Sequence, residues 1–360
     1  MIPAYKLYGA AISLYTGKVR AYLRYRNIPF IEESGSPEIF ERVGFRMIPV
    51  LHTPDDELIQ DTTDIIDHFE AKLGEPSVYP TGATQKLIAL LFEVIGDEWL
   101  VIPAMHYRWA YNLEFILQAF GATVQPDASA SEQRAIGEKI SAPFRGSLPF
   151  LGIDENTIEG IESAYEELLS QLDTHFATHD FLLGTRPSIG DFGLMGPLYA
   201  HNYRDPWSGD FMRRTAPNVA RWVGSMNTPA PNSGQFLDDD EIPATLTPIL
   251  KTMFVEAMPA LMASLEANAA WIKANPDTPE LPRMVGEHEF VIGGKRGNRT
   301  IRSYSQWMLQ RPLAHYASLT GTELERADAL LKSVGGYDCM QTEIIWPVER
   351  RNNLLVAATP

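Results

Sequence analysis

The sequence predicts a small α/β domain, then an all-helical domain, then a mainly helical C-terminal region with one β-hairpin. Three observations predict this. Residues 5–80 alternate short strand-like and helix-like stretches. From about 81 to 230 the apolar spacing is almost wholly helical. The proline-rich, acidic stretch "NTPAPNSGQFLDDDEIPA" then reads as a linker near 227–243. The expected domains are 1–80, 81–235 and 236–360.

In chain order, "YKLYG" reads as a strand and "TGKVRAYLRYRN" as a helix with Val19 and Leu23 at helical spacing. "IPFIEE" is a second strand, and Ser36-Pro37 opens a short helix in "SPEIFERV". "IPVLHT" and "ELIQ" are strands joined by the "PDD" turn, and Gly74 closes the helix "TTDIIDHFEAKLG". A βαβα–ββα unit this small needs a neighbouring surface to bury enough apolar area. "QKLIALLFEVIGDEWLVIPAMHYRWAYNLEFILQAF" is one long helical pattern with Pro103 as its expected kink. "SEQRAIGEKI", "NTIEGIESAYEELLSQLDTHFAT" and "TAPNVARWVGSM" complete the helical domain. A long helix over 244–274, a hairpin around "EFVIGGKRGNRTIRSY" and two further helices follow.

Composition narrows the function. With 30 Lys+Arg against 46 Asp+Glu, the 360-residue chain carries a net charge of −16. Such a surface repels phosphate backbones, so nucleic acid is not an expected partner. The single cysteine, Cys339, excludes a disulfide framework, a CxxC redox site and a cysteine-rich zinc site. The start lacks a secretory pattern, and no run approaches the roughly 20 apolar residues that span a bilayer. A cytoplasmic enzyme without a membrane partner is the expectation. "GEHEF" has Ile292 where HExxH needs its second histidine, and "GGKRGNRT" does not match a phosphate loop. No metal site is expected, and Lys295, Arg296, Arg299 and Arg302 form a basic patch expected to pair with acidic neighbours, the other reading being an anionic ligand.

The informative stretch is "MIPVLHTPDDELIQDTTDIIDHFE". Pro49 opens a strand, and a cis bond before it would turn the backbone of Val50 into a groove, where an extended peptide could pair with it. Asp61 and Thr62 stand where a helix begins, and the free N–H groups and dipole there attract a carboxylate. Thr62 can donate to that carboxylate and Asp61 can hold an ammonium group. The site suits a small zwitterionic peptide.

These residues resemble the glutathione transferase superfamily over about residues 5–230. The resemblance implies a thioredoxin-like N-terminal domain, an all-helical second domain, and glutathione as co-substrate. Val50, beside Pro49, would bind its cysteinyl backbone, and Asp61 and Thr62 its γ-glutamyl end. Ser188 and Asp191 in "FLLGTRPSIGDF" form a capping box that also recurs at a buried helix start in this family. "GAAISLYTGKVR" resembles the serine-type first loop, which implies that Ser13 donates a hydrogen bond to the sulfur. Leu14 stands where relatives often carry proline, so Tyr15 and Thr16 are alternatives. A free thiol has a pKa near 8.5, and a hydroxyl donor plus a helix N-terminus favour its anion. With no cysteine in this loop, chemistry through a protein mixed disulfide is disfavoured.

In "DEWLVIPAMHYRW", Trp99, Ile102, His106 and Trp109 share a helix face. The resemblance implies an acceptor pocket there, with Met105, His106 and Trp109 against an apolar electrophile and Arg108 on a carboxylate. Core packing is the other reading of such a stripe. Residues 240–360 have no counterpart in the two-domain fold. They either cover the cleft or occupy the surface where relatives dimerise, which leaves a homodimer open. The function expected is addition or exchange of the glutathione thiolate on a small hydrophobic electrophile, by a transferase or a related lyase or isomerase. The rival reading is a non-catalytic binding or scaffold protein whose groove is filled by its own side chains.

Overall fold

In the computed structural model, which describes residues 5–358, the N-terminal unit has the predicted order. Strand β1 (Tyr5–Tyr8) leads to helix α1 (Leu14–Tyr25), strand β2 (Phe30–Glu33) and helix α2 (Pro37–Val43). Strands β3 (Val50–His52) and β4 (Leu58–Gln60) and helix α3 (Thr62–Leu73) complete it. The sheet order is β2-β1-β3-β4, with β2 parallel to β1 and the other pairs antiparallel, a thioredoxin-like arrangement. Helix α1 starts two residues before Thr16 because Ser13 caps it, accepting from the Thr16 N–H at 3.3 Å. Ser36 caps α2 with Pro37 in its first turn, and α3 ends at Gly74 with φ +63°.

The second domain holds α4 (Ala83–Val94), α5 (Val101–Tyr111), α6 (Leu113–Val124), α7 (Ala130–Gly146) and α8 (Ile158–Phe176). Helices α9 (Ile189–Ala200), α10 (Pro206–Thr215) and α11 (Pro217–Asn227) follow. The long pattern is broken rather than kinked at one residue. A π turn, Ile95–Trp99, lies one turn upstream of Pro103, whose missing N–H cannot continue the ladder. This turn packs against α9 at Gly96, where a Cβ would lie 2.3 Å from the Gly193 carbonyl oxygen. The Ser188–Asp191 capping box forms as expected. Asp191 also accepts from the Leu182 N–H (3.0 Å) and the Trp222 indole (3.2 Å), while burial pushes its carboxyl up to about 6.

The stretch read as a linker is docked. The Gln235 carbonyl accepts from Thr185 N–H (2.9 Å), and Leu237 N–H donates to the Leu183 carbonyl (2.9 Å). Gly82 offers α4 no side chain, so Asp240 caps it from afar, accepting from Thr84 N–H (2.8 Å) and Gln85 N–H (2.7 Å). Asp240 holds this position with φ +56°. Asp240→Ala therefore loses the cap and strains the backbone, and is expected to cost about 2 kcal/mol in urea unfolding. Asp240→Asn, which caps and tolerates positive φ, is expected to cost under about 0.5 kcal/mol.

The C-terminal region is α12 (Thr247–Thr252), a second π turn (Met253–Ala257) and α13 (Met258–Ala274), then the hairpin β5 (Met284–Ile292) and β6 (Lys295–Arg302). Helices α14 (Tyr304–Ala317), α15 (Gly321–Val334) and α16 (Tyr337–Met340) lead to a last hairpin, β7 (Val348–Arg351) and β8 (Leu354–Ala357). That hairpin was not expected; Asn352 and Asn353, both at positive φ, make its turn. The helical stretch 244–274 is long and apolar enough to cross a membrane by length and composition, contrary to the sequence reading. Half of its apolar window is buried inside the protein. One hydrophobic cluster runs from Leu7 and Tyr22 through Leu91 and Phe192 to Met308 and Leu331, so all three regions share a core.

The extension lies over the N-terminal domain. Arg350 donates to the Gln60 carbonyl (2.8 Å), and the Asn353 side chain accepts from the Gln60 N–H (3.1 Å), closing the exposed edge of β4. Most of the basic patch pairs as expected: Lys295 with Glu159, Arg296 with Glu289, and Arg302 with Glu98.

Candidate functional site

Strand register brings the candidate residues together. Tyr8 pairs with Val50, and Val50 with Gln60, so one row crosses β1, β3 and β4. The loop after Tyr8, the segment before Val50 and the residue after Gln60 all leave the same end of the sheet. They carry Ser13, the Ile48–Pro49 bond and Asp61. That bond is cis.

The register corrects the assignment of Val50. It is fully buried on an interior strand flanked by β1 and β4, so its backbone lies within the sheet. Ile48, half-buried and just ahead of the proline, has no backbone hydrogen-bond partner among the described residues. It is the residue an extended peptide can pair with. The sequence signal was present in "MIPV": a proline that opens an interior strand leaves the residue before it outside the ladder.

Of the three candidate hydroxyls, the structure leaves one. Thr16 is fully buried and accepts from the Ala10 N–H (3.4 Å), pressed so closely on Gly9 that a Cβ there would lie 2.3 Å from its methyl. It braces the loop. Tyr15 donates to the Asp97 carbonyl (2.9 Å), and burial pushes its phenol above the ordinary range. Ser13 is half-buried at the first N–H groups of α1, and its hydroxyl proton has no acceptor among the described residues. It alone combines access, a free donor and a helix N-terminus.

Asp61 caps α3 with φ +96°, accepting from Thr63 N–H at 2.8 Å. Its other carboxylate oxygen accepts from the hydroxyl of Tyr304, at the start of α14, at 2.6 Å. A carboxylate has about four acceptor sites, so an ammonium group can still join. Neither the N–H nor the hydroxyl of Thr62 has a partner among the described residues, which leaves both for a carboxylate. Beside them Arg350 donates to Asp64 (2.6 Å). Burial, then the Asp61 charge, pushes the Asp64 carboxyl up to about 6 against that pull.

The acceptor-pocket residues fare differently. Arg108 is buried, and donates to both Asp205 oxygens (2.7 and 3.0 Å), the Ala200 carbonyl (2.7 Å) and the Ile12 carbonyl (2.7 Å). That guanidinium has no fork left for a substrate carboxylate; it anchors the loop that carries Ser13. His106 bonds Glu162 at 2.8 Å, and Trp109 stacks on Phe120 with centroids 5.9 Å apart. Met105 is buried with them. The stripe is core packing, as the blander reading of the sequence held. Two cavities, of about 50 Å³ beside Trp99 and Tyr165 and about 350 Å³ between Tyr79, Arg186 and Asp238, do not touch Ser13, Ile48 or Asp61.

Behind the groove lies a buried ionic cluster that the sequence reading missed. Lys18 of α1 has no exposed surface and donates to Asp97 (2.6 Å), Glu93 (2.9 Å) and the Thr63 hydroxyl (3.3 Å). Burial opposes its charge, but Asp97 and Glu93 outweigh burial and hold it cationic. Arg311 of α14 approaches Glu93 (3.7 Å) and donates to Asp67 (2.6 Å) and the Tyr79 hydroxyl (2.6 Å). One network thus ties α1, α3, α4 and the extension. Polar residues spaced along separate helices gave no sign of it.

A family model described as "Glutathione S-transferase, N-terminal domain" matches residues 7–77, and one described as "Glutathione S-transferase, C-terminal domain" matches 155–225. Among curated proteins no match is found. Solved structures similar to this chain include a β-etherase, LigF, from Sphingobium sp. strain SYK-6, at 17% identity over 64% of this chain and 97% of that one, with TM-score 0.45. A glutathione S-transferase from Rhodospirillum rubrum F11 aligns at 15% identity over 67% and 96%, with TM-score 0.41. Another, from Methylobacterium radiotolerans JCM 2831 in complex with glutathione sulfonate, aligns at 19% identity over 66% and 99%, with TM-score 0.41. The two matched segments, which contain the cis-proline strand, the Asp61 cap and the Ser188–Asp191 box, carry the N- and C-terminal domains of the glutathione S-transferase family.

Proposed function

We propose that the protein is a glutathione-dependent enzyme that joins the glutathione sulfur to a small hydrophobic electrophile. The observation that carries this reading is the Tyr8–Val50–Gln60 row, which sets Ser13, Ile48 and Asp61 at one end of the sheet. Glutathione lies extended, pairing its cysteinyl backbone with Ile48. Its γ-glutamyl ammonium meets Asp61, and its carboxylate meets the N–H and hydroxyl of Thr62. Ser13 donates to the sulfur, and the α1 N-terminus favours the anion. The thiolate attacks the electrophilic carbon; a C–S bond forms, and the leaving group departs with its electron pair.

A second reading, a non-catalytic scaffold, draws on Tyr304, Arg350 and Asn353, which cover the Asp61 end of the groove. Calorimetric titration with reduced glutathione separates the two. The enzyme reading expects binding, weakened about tenfold by Asp61→Asn, since a charge-assisted hydrogen bond is worth about 1.5–3 kcal/mol and Asn preserves the helix cap. No heat at millimolar glutathione favours the scaffold.

A further inference from the structure

The extension places arginines at the mouth of this groove. Arg283 is exposed and lies over the Phe45 ring, 5.7 Å from its centroid, with its guanidinium against the Met47 sulfur. Met47 immediately precedes Ile48. No carboxylate lies within salt-bridge distance of Arg283 among the described residues.

Arg302 adjoins it at the open end of the β5–β6 hairpin. Met284 pairs with Arg302, and the Ser303 N–H donates to the Arg283 carbonyl at 3.2 Å. Arg302 holds Glu98 at 2.9 Å, yet Glu98 also accepts from Ser305 at 2.5 Å, and the buried Nε of Arg302 has no partner. Arg299 stands behind it, 3% exposed, stacked on Trp99 (5.5 Å) and Phe290 (5.9 Å), with two nitrogens unpartnered. Arg302 and Arg299 therefore share the Glu98 carboxylate, and Arg283 beside them has none among the described residues, in a protein whose net charge is −16. Partial burial and the charge of Arg302 both lower the Arg283 guanidinium from its ordinary range, so an anion arriving there relieves repulsion as well as forming new bonds.

We propose that Arg283, seconded by Arg302, is a carboxylate clamp built by the extension at the mouth of the glutathione groove. The inference rests on the proposed function and narrows it: the complex seated there presents an acid group beside the sulfur. That acid belongs to the acceptor molecule.

Calorimetry on the full-length protein tests this assignment. The ligands are reduced glutathione, its glycyl ethyl ester, S-hexylglutathione and S-carboxypentylglutathione. The proteins are the native chain, Arg283→Met and Arg283→Lys, with thermal unfolding checked for each. If the acceptor carries the acid, the native chain binds the carboxypentyl ligand about tenfold more tightly than the hexyl one. Arg283→Met erases that preference with hexyl affinity unchanged, and Arg283→Lys keeps part of it. An ester that binds about tenfold more weakly than glutathione in the native chain, and equally in Arg283→Met, places Arg283 on the glycyl carboxylate instead and overturns the acceptor clamp. Glutathione binding with neither preference, or with a preference that survives Arg283→Met, overturns the clamp and leaves the proposed function standing. No binding of any of the four ligands overturns both.

Discussion

Lys18→Met is expected to lower the free energy of unfolding by about 3–5 kcal/mol, the cost of stripping the partner from a buried charge. Lys18, Glu93 and Asp97 are all essentially without solvent contact, so no water replaces the lost ammonium. Glu93 keeps the Thr63 hydroxyl at 2.7 Å and Arg311 at 3.7 Å. Asp97 keeps no cation, and one of its oxygens already lacks a partner. The loss therefore falls on Asp97. Adding Asp97→Leu to Lys18→Met is expected to recover at least half of the stability, because an apolar pair of similar volume replaces a stranded charge. Urea unfolding of the two single variants and the double variant measures this directly. A loss under about 1 kcal/mol for Lys18→Met would show that the cluster does not bind the three regions together.

Ser13→Ala is expected to reduce kcat/KM for conjugation of an aromatic electrophile by about 10²-fold or more, the usual effect of removing a donor aimed at developing or held negative charge. Tyr15→Phe and Thr16→Val are expected to change it less than about threefold through the thiol. The hydroxyl of Tyr15 is committed to the Asp97 carbonyl, and that of Thr16 is sealed beneath Gly9. Alanine at 13 also removes a helix cap worth about 1 kcal/mol, whereas glycine removes only a few tenths. Ser13→Gly should therefore match Ser13→Ala in rate while retaining most of the stability. Equal rates for all these variants and the native chain would remove Ser13 from the chemistry.

How much of this was legible in the sequence differs from element to element. The N-terminal strands and helices could be read because each is bounded by a local signal: Ser36-Pro37, the "PDD" turn, Gly74. The Asp61–Thr62 helix start was legible for the same reason, since capping is decided within four residues. Val50 was misassigned because whether a strand residue is paired depends on a neighbouring strand, and β4 takes the side that would otherwise be open. Arg108, and the linker stretch that holds Asp240, were misread for a related reason. Their partners, Ile12 and Asp205 for one and Thr84 and Gln85 for the other, lie 96 or more residues away in sequence. The final hairpin escaped because a short, charged "VERRNNLL" carries little apolar alternation. Tyr304, Arg311 and Arg350 could not be linked to the groove from the chain alone, because only the fold lays α14 and the last hairpin across α3.

The central claim is that Ser13 and the α1 N-terminus ionise the thiol of bound glutathione. It is tested most directly by following the ultraviolet thiolate absorbance of the protein–glutathione complex as pH is raised, in the native chain and in Ser13→Gly. Both contributions favour the anion, so the predicted midpoint in the native complex lies at least about one unit below the free-thiol value near 8.5, and returns toward that value in Ser13→Gly. A native midpoint at the free-thiol value, or one that Ser13→Gly leaves in place, would contradict the account.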